Sequence, residues 1–157
     1  MDLPVRIKTA SVLVAVFTVL GATTAVLAHK GATGVVKQRM TAMKSLGDSM
    51  KALSLMVTGK APFSAAETER IATKIKSRAA DITRLFPKGS IQGPSEALPN
   101  IWTDWDAFTE HAKSLENLAG ELEVSADKGK AASRVVFAKM GKTCSGCHQD
   151  FRQKKEE

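Results

Sequence analysis

The chain has 157 residues, with 23 Lys and Arg against 16 Asp and Glu, a formal net charge of +7, and only two cysteines. That length suits one ordinary domain. The lysines are dispersed, and the short cluster Lys154-Lys155 runs directly into Glu156-Glu157, which excludes a nucleic-acid-binding patch as the reason for the charge.

At the N-terminus, Arg6 and Lys8 precede an uncharged stretch, residues 10–28, made mostly of Ala, Val, Leu and Thr and ending Val26-Leu27-Ala28. This is the pattern of a secretory signal peptide over residues 1–28, cleaved before His29. A retained membrane anchor is the alternative, because the stretch approaches the roughly 20 residues of a spanning helix. Its apolar core, Val12 to Leu20, is short for that purpose. The expected exported domain is residues 29–157, without a stable membrane anchor. Losing Asp2, Arg6 and Lys8 leaves it a formal +6.

Four helices are predicted in that domain. The first covers about 34–58, with Val36, Met40, Met43, Leu46, Met50, Leu53 and Val57 at helical spacing. Gly59-Lys60-Ala61-Pro62 ends it. The second starts at Ser64 with Glu67 as a capping box, carries Ile71, Ile75, Ala79, Ile82 and Phe86, and closes at Pro87. Residues 87–99 hold three prolines and two glycines and read as a loop. The third helix covers about 100–123, with Trp102, Trp105, Phe108, Ala112, Leu115, Leu118 and Leu122 inward. The fourth runs from near 125–128 to about 153, with Val135, Val136, Met140, Cys144, Cys147 and Phe151 inward. No stretch alternates as a strand would. Long amphipathic helices with mostly short links point to an all-α antiparallel four-helix bundle.

The last helix contains Cys144-Ser145-Gly146-Cys147-His148. This is the sequence form of a covalent c-type haem site, in which two thiols add to the two vinyl groups and the histidine ligates the iron. Positions i, i+3 and i+4 share a helix face, so all three side chains reach one porphyrin. A redox dithiol, half of a zinc site and a lone disulfide are the alternatives. The first is best known beside a βαβ pattern, and the second needs four ligands. The third closes too short a loop to stabilise much. None of them explains His148. The other histidines are His29, at the expected cleavage point, and His111, read here as a surface residue.

A C-terminal Cys-x-x-Cys-His on the last helix of an exported four-helix domain resembles the class II c-type cytochromes, the cytochrome c′ family. Lys37-Gln38-Arg39 with Met43, Gly59-Lys60-Ala61-Pro62-Phe63, Leu85-Phe86-Pro87, Ile101-Trp102 and Cys147-His148-Gln149-Asp150-Phe151-Arg152 carry the likeness, in the family's order, over residues 33–154. The resemblance implies one covalent haem c, attached through Cys144 and Cys147, with His148 as proximal iron ligand, in the periplasm.

It also implies that the sixth iron position faces the first helix. High-spin members place an apolar or aromatic residue there, whereas a low-spin branch places a ligating methionine. Counting back from Gly59-Lys60-Ala61-Pro62, the matching residue is Met43; Met40, one turn earlier, is the alternative. Packing is the competing role, since methionines commonly fill cores. Arg39, four residues before Met43, is expected at a haem propionate, where a guanidinium suits a carboxylate. Arg152, four residues after His148, is expected beside the proximal imidazole.

The resulting expectation is a one-electron carrier with His/Met-ligated low-spin haem. The alternative is a five-coordinate protein that binds nitric oxide or carbon monoxide. An enzyme is not expected, because no distal acid–base group is evident. The redox partner is expected to be acidic, by complementarity to the basic balance. Pairing into a homodimer through the first two helices is a further possibility that the resemblance raises.

Overall fold

The computed structural model describes residues 31–154. The expected signal peptide, residues 1–28, lies outside the described residues. Four helices follow one another: α1 (Gly34–Val57), α2 (Ala65–Ala80), α3 (Trp105–Ala126) and α4 (Lys130–Phe151), with short 3-10 turns at Thr83–Leu85 and Pro99–Trp102. No named strand occurs among the described residues; a single bridge pairs Ala97 with Arg152. The chain is an all-α four-helix bundle, as the periodicity indicated. Among the described residues no helix is long and apolar enough to cross a membrane.

The inner face of α1 lies to one side of the predicted stripe. Val36, Arg39, Ala42, Leu46, Ser49, Leu53 and Met56 are buried, a three-and-four repeat that includes an arginine and a serine. Met43 and Met50 sit at the edge of this seam, half-buried. On α4, Val135 was expected inward and is 61% exposed; Ser133 and Val136 occupy the inner face instead. Buried Ser133 is tolerated because its hydroxyl donates to Ser125 O at 3.2 Å.

The second helix starts as expected. Ser64 Oγ accepts from the Glu67 backbone N–H at 3.2 Å. The capping box is only half made, since the Glu67 carboxylate turns to Arg70 at 2.6 and 2.7 Å. This helix ends at Ala80 rather than at Pro87. The 3-10 turn that follows keeps Ile82, Leu85 and Phe86 buried. The third helix begins five residues later than predicted, at Trp105. Pro99 opens a separate 3-10 turn, in which Trp102 is half-buried and donates Nε1–H to Phe86 O at 3.0 Å. Trp105 lies at 36% exposure, outside the core.

Leu53, Ile75, Ile101, Leu122 and Met140 are fully buried at the centre. Burial of each such side chain contributes about 1.5–3 kcal/mol. Packing is uneven around the bundle. The acidic helix α3 lies close against α2 and α4, whereas α1 touches α2 and α4 far more sparsely. The loosest seams of the fold are therefore the two that flank α1.

Candidate haem-binding site

The five-residue motif occupies the last two turns of α4. Cys144 and Cys147 are half-buried and pack on the same core cluster as Met43 of α1. Both thiols are free rather than joined in a disulfide. Burial pushes the Cys144 thiol up. Cys147 is pushed up to about 11 by burial and by the neighbouring Cys144 and Asp150 charges. Both are therefore neutral thiols at neutral pH, not the activated thiolates of a redox dithiol. Among the described residues no group of three His, Cys, Asp or Glu is disposed to hold a metal ion, so a zinc reading finds no third ligand.

His148 stands at the exposed rim of the motif. Partial burial holds its imidazole below the usual range, and the Arg152 charge adds to this against an opposing effect of Glu96. The neutral ring keeps a lone pair for a metal. Ser145, His148, Gln149 and Arg152 line one open hollow of about 660 Å³. Arg152 is tied to Glu96 through Nε at 2.7 Å. The turn after α4 is stitched to the long loop by Leu98 N–H to Phe151 O at 3.0 Å and Gln153 N–H to Glu96 O at 2.8 Å. Asn100 Nδ2 donates to Asp150 O at 3.0 Å. The bonds to Phe151 O and Asp150 O satisfy carbonyls that the C-terminus of α4 leaves unpaired.

Arg39 fastens the other end of the same loop. Its Nε and Nη2 both donate to Leu85 O, at 3.2 and 2.9 Å. Nη2 also reaches Ser90 Oγ at 2.7 Å, while Nη1 reaches Ser90 O at 3.0 Å and Ser95 Oγ at 2.9 Å. The guanidinium lies 3.9 Å above the Phe86 ring. Five donor contacts from one buried side chain thus hold residues 85–95 onto α1. Nothing in the spacing of the sequence signalled this anchoring role. A charged side chain on an apolar stripe was the available clue.

His111 is not the isolated surface residue expected. Its side chain is 27% exposed, and Nε2 lies 3.6 Å from Asp150 Oδ2. Its ring meets Phe151 edge-on at 6.1 Å. A Cβ on Gly146 would come within 3.2 Å of His111 Cε1. Glycine inside the cysteine motif is therefore matched to a close approach of α3. Phe151 is gripped further by Phe108, at 5.4 Å between centroids.

The family model described as Cytochrome C′ matches residues 34–152. The chain belongs to the cytochrome c′ family. It is 35% identical to a cytochrome c-556 of Agrobacterium fabrum over 79% of this chain and 84% of that protein. It is 34% identical to a cytochrome c′ of Pararhodospirillum photometricum, over 75% of this chain and 95% of that protein. Among solved structures, a cytochrome c prime variant from Alcaligenes xylosoxidans with bound NO superposes with a TM-score of 0.71 at 26% identity, covering 77% of this chain and 94% of that one.

Cytochromes of this family carry covalent haem c, and the residues present fit that group. Two neutral thiols three residues apart are turned to the core beside a neutral imidazole, and the adjoining seam between α4 and α1 is one of the two sparsely packed ones. The alternatives for the cysteine pair leave these features without a use. Met43 packs on the core cluster that also holds the two cysteines. Met40 is half-buried one turn away.

Proposed function

We propose that this protein is a periplasmic one-electron carrier in which Cys144 and Cys147 attach the haem, His148 ligates the iron from α4, and Met43 ligates it from α1. The observation that carries this reading is the half-buried thioether of Met43, packed on the same core cluster as the two cysteines, at the position that the sequence resemblance implies for the sixth ligand. Haem c supplies a one-electron couple at its iron. Neutral His148 and neutral Met43 together favour a raised potential, as His/Met pairs do in cytochromes c. Filling the sixth position keeps small molecules out, and catalysis of a chemical reaction is not part of this reading.

Arg152, held by Glu96, lines the same open hollow as His148, and its charge helps keep that imidazole neutral and able to ligate. Arg39 is assigned to the haem environment. A propionate contact would replace one of its serine acceptors, Ser90 or Ser95, because its donors are already directed at protein oxygens. The charged and then apolar pattern of residues 1–28, read as a signal peptide, is what supports the periplasmic assignment.

A second reading has specific support, and the solved neighbours favour it over the first. They include nitric oxide complexes of the Alcaligenes xylosoxidans cytochrome c prime, some with a leucine replaced by isoleucine, alanine or valine. A protein of this fold with an open distal side binds a diatomic gas. Replacing Met43 by Ala separates the two readings. In a carrier, the change converts ferrous low-spin protein to high spin and lets carbon monoxide bind readily, while Met40→Ala does much less. If the unaltered protein already takes up carbon monoxide as readily as the Met43→Ala variant, the gas-binding reading replaces the carrier.

A further inference from the structure

Charge is divided among the helices. The third helix holds five carboxylates, Asp106, Glu110, Glu116, Glu121 and Glu123, against Lys113, for a net −4. The other three are basic: α1 at +3 (four cations and Asp48), α2 at +2 (four cations, Glu67 and Glu69) and α4 at +3 (four cations and Asp150). A uniform +7 would not steer a partner to any one side; this arrangement does.

The cations of α2 divide between two sides. Lys76 turns to α3 and pairs with Glu123 at 2.9 Å. Lys74 and Arg78, one turn apart, make no ion pair among the described residues, and neither do Lys37 and Lys51 of α1. All four are exposed. Asp48, on the same side of α1, is held below the usual carboxylate range first by its hydrogen bond with Lys44. The charges of Lys44, Lys74 and Lys51 add to this, against some desolvation. Beside them runs a groove of about 360 Å³, lined by Lys37, Thr41 and Ser45 of α1 and by Arg78, Asp81 and Arg84 across from it. Asp81 is taken by Arg84 at 2.8 Å, which leaves Lys37 and Arg78 as its unmatched charges. On α4, Lys139 faces Glu121 of α3 at 3.5 Å, but Lys130, Arg134 and Lys142 are exposed and without an ion pair among the described residues. It is therefore the groove, and not the number of unmatched cations, that sets the α1–α2 face apart.

Thr41 and Ser45 flank Met43 by two residues on either side, about 200° around the helix from it. Buried Ala42 and Leu85 line the groove too, so it runs along the flank of α1 opposite the one that carries Met43. Only the width of one helix, about 10 Å, separates the two.

We infer that the α1–α2 face, centred on Lys37, Arg78 and this groove, is the docking surface for an acidic protein, whose side-chain carboxylates enter the groove. For a redox partner, this rests on the carrier reading above. The face places that partner against the helix nearest the sixth iron position, rather than at the acidic α3.

Poly-L-glutamate serves as the probe, titrated into holoprotein by calorimetry at low ionic strength, where exposed charges are least screened. Lys37→Glu/Arg78→Glu is compared with Arg134→Glu/Lys142→Glu on α4, which changes net charge by the same amount. The α1–α2 pair is expected to weaken binding about tenfold, since two favourable surface pairs become repulsive, and the α4 pair less than about twofold. Equal weakening by both pairs, greater weakening by the α4 pair, or no binding by the unaltered protein overturns the inference. So does binding through this face to phosphatidylglycerol vesicles but not to polyglutamate, which would make it a membrane surface. A homodimer, seen by sedimentation, that Lys37→Glu/Arg78→Glu dissociates also overturns it, since the face would then be the seam between two copies. Failure of the carrier reading registers separately, as a broad high-spin spectrum of the reduced protein, and leaves the calorimetry intact.

Discussion

Replacing Arg39 by Ala tests how the bundle holds its long loop. The side chain is 5% exposed and makes five donor contacts to Leu85, Ser90 and Ser95. Its loss leaves the Leu85 and Ser90 carbonyls without these donors inside the fold, at about 1–3 kcal/mol each. The contact with the Phe86 ring adds about 1 kcal/mol. Against this, a guanidinium no longer has to be desolvated, which returns part of the loss. The net expectation is a destabilisation of about 3 kcal/mol. At ~4 °C per kcal/mol for a domain of this size, Tm falls by about 12 °C. Arg39→Lys keeps the charge but brings three donors instead of five, in a geometry that cannot fork. It should recover no more than about half. The assay is a thermal melt of oxidised holoprotein followed by far-ultraviolet circular dichroism, with limited proteolysis between residues 87 and 98 as a local readout. A loss below about 1 kcal/mol for Arg39→Ala, with the loop still resistant, would refute the anchoring role.

Other expectations follow from single features of the fold. Replacing Cys144 and Cys147 together by Ala should leave haem extractable by acid-acetone, and surviving attachment would contradict the motif. Haem-free protein should lack a cooperative melt, because a group bound only by the native state stabilises it and a bundle with a sparse seam depends on that. Gly47 and Gly141 have nothing within 4 Å of an added Cβ, so Ala there should stabilise by about 0.5–1 kcal/mol through helix propensity. Gly146→Ala should gain nothing, since the 3.2 Å contact with His111 offsets the same propensity; equal stabilisation at all three sites, by chemical denaturation, would remove the close-approach argument. Glu123 is held below the usual range by its hydrogen bonds with Lys76 and Thr73. A depressed carboxyl stabilises above its unfolded pKa and loses that effect as pH falls through the folded one. Glu123→Gln should thus cost up to about 0.5 kcal/mol at pH 7 and nothing near pH 2. A cost that persists in acid would assign the effect to packing instead.

The helices were legible because their apolar positions repeat every three or four residues, and the haem motif because no other use of Cys144, Cys147 and His148 accounts for all three. The helix ends were less so. Ile82 and Phe86 continue the spacing of α2, but a 3-10 turn buries them as well as a longer helix would, and periodicity does not distinguish the two. On α1, Val36, Leu46, Leu53 and Val57 are buried as predicted, but the centre of the inner face was missed because buried Arg39 and Ser49 carry no hydrophobic signal and Ala42 only a weak one. Val135 was misjudged for the opposite reason: it is apolar, yet one residue off the face set by Ser133, Val136 and Met140. The approach of His111 to Gly146 joins residues 35 positions apart, and only the packing of α3 on α4 brings them together.

The absorption spectrum of the dithionite-reduced protein, before and after exposure to carbon monoxide, tests the Met43 ligation most directly. Sharp α and β bands that carbon monoxide leaves largely unchanged are the expected result, from iron with His148 and Met43 both bound. A broad high-spin spectrum that shifts at once on adding the gas would contradict it and leave Met43 as a packing residue.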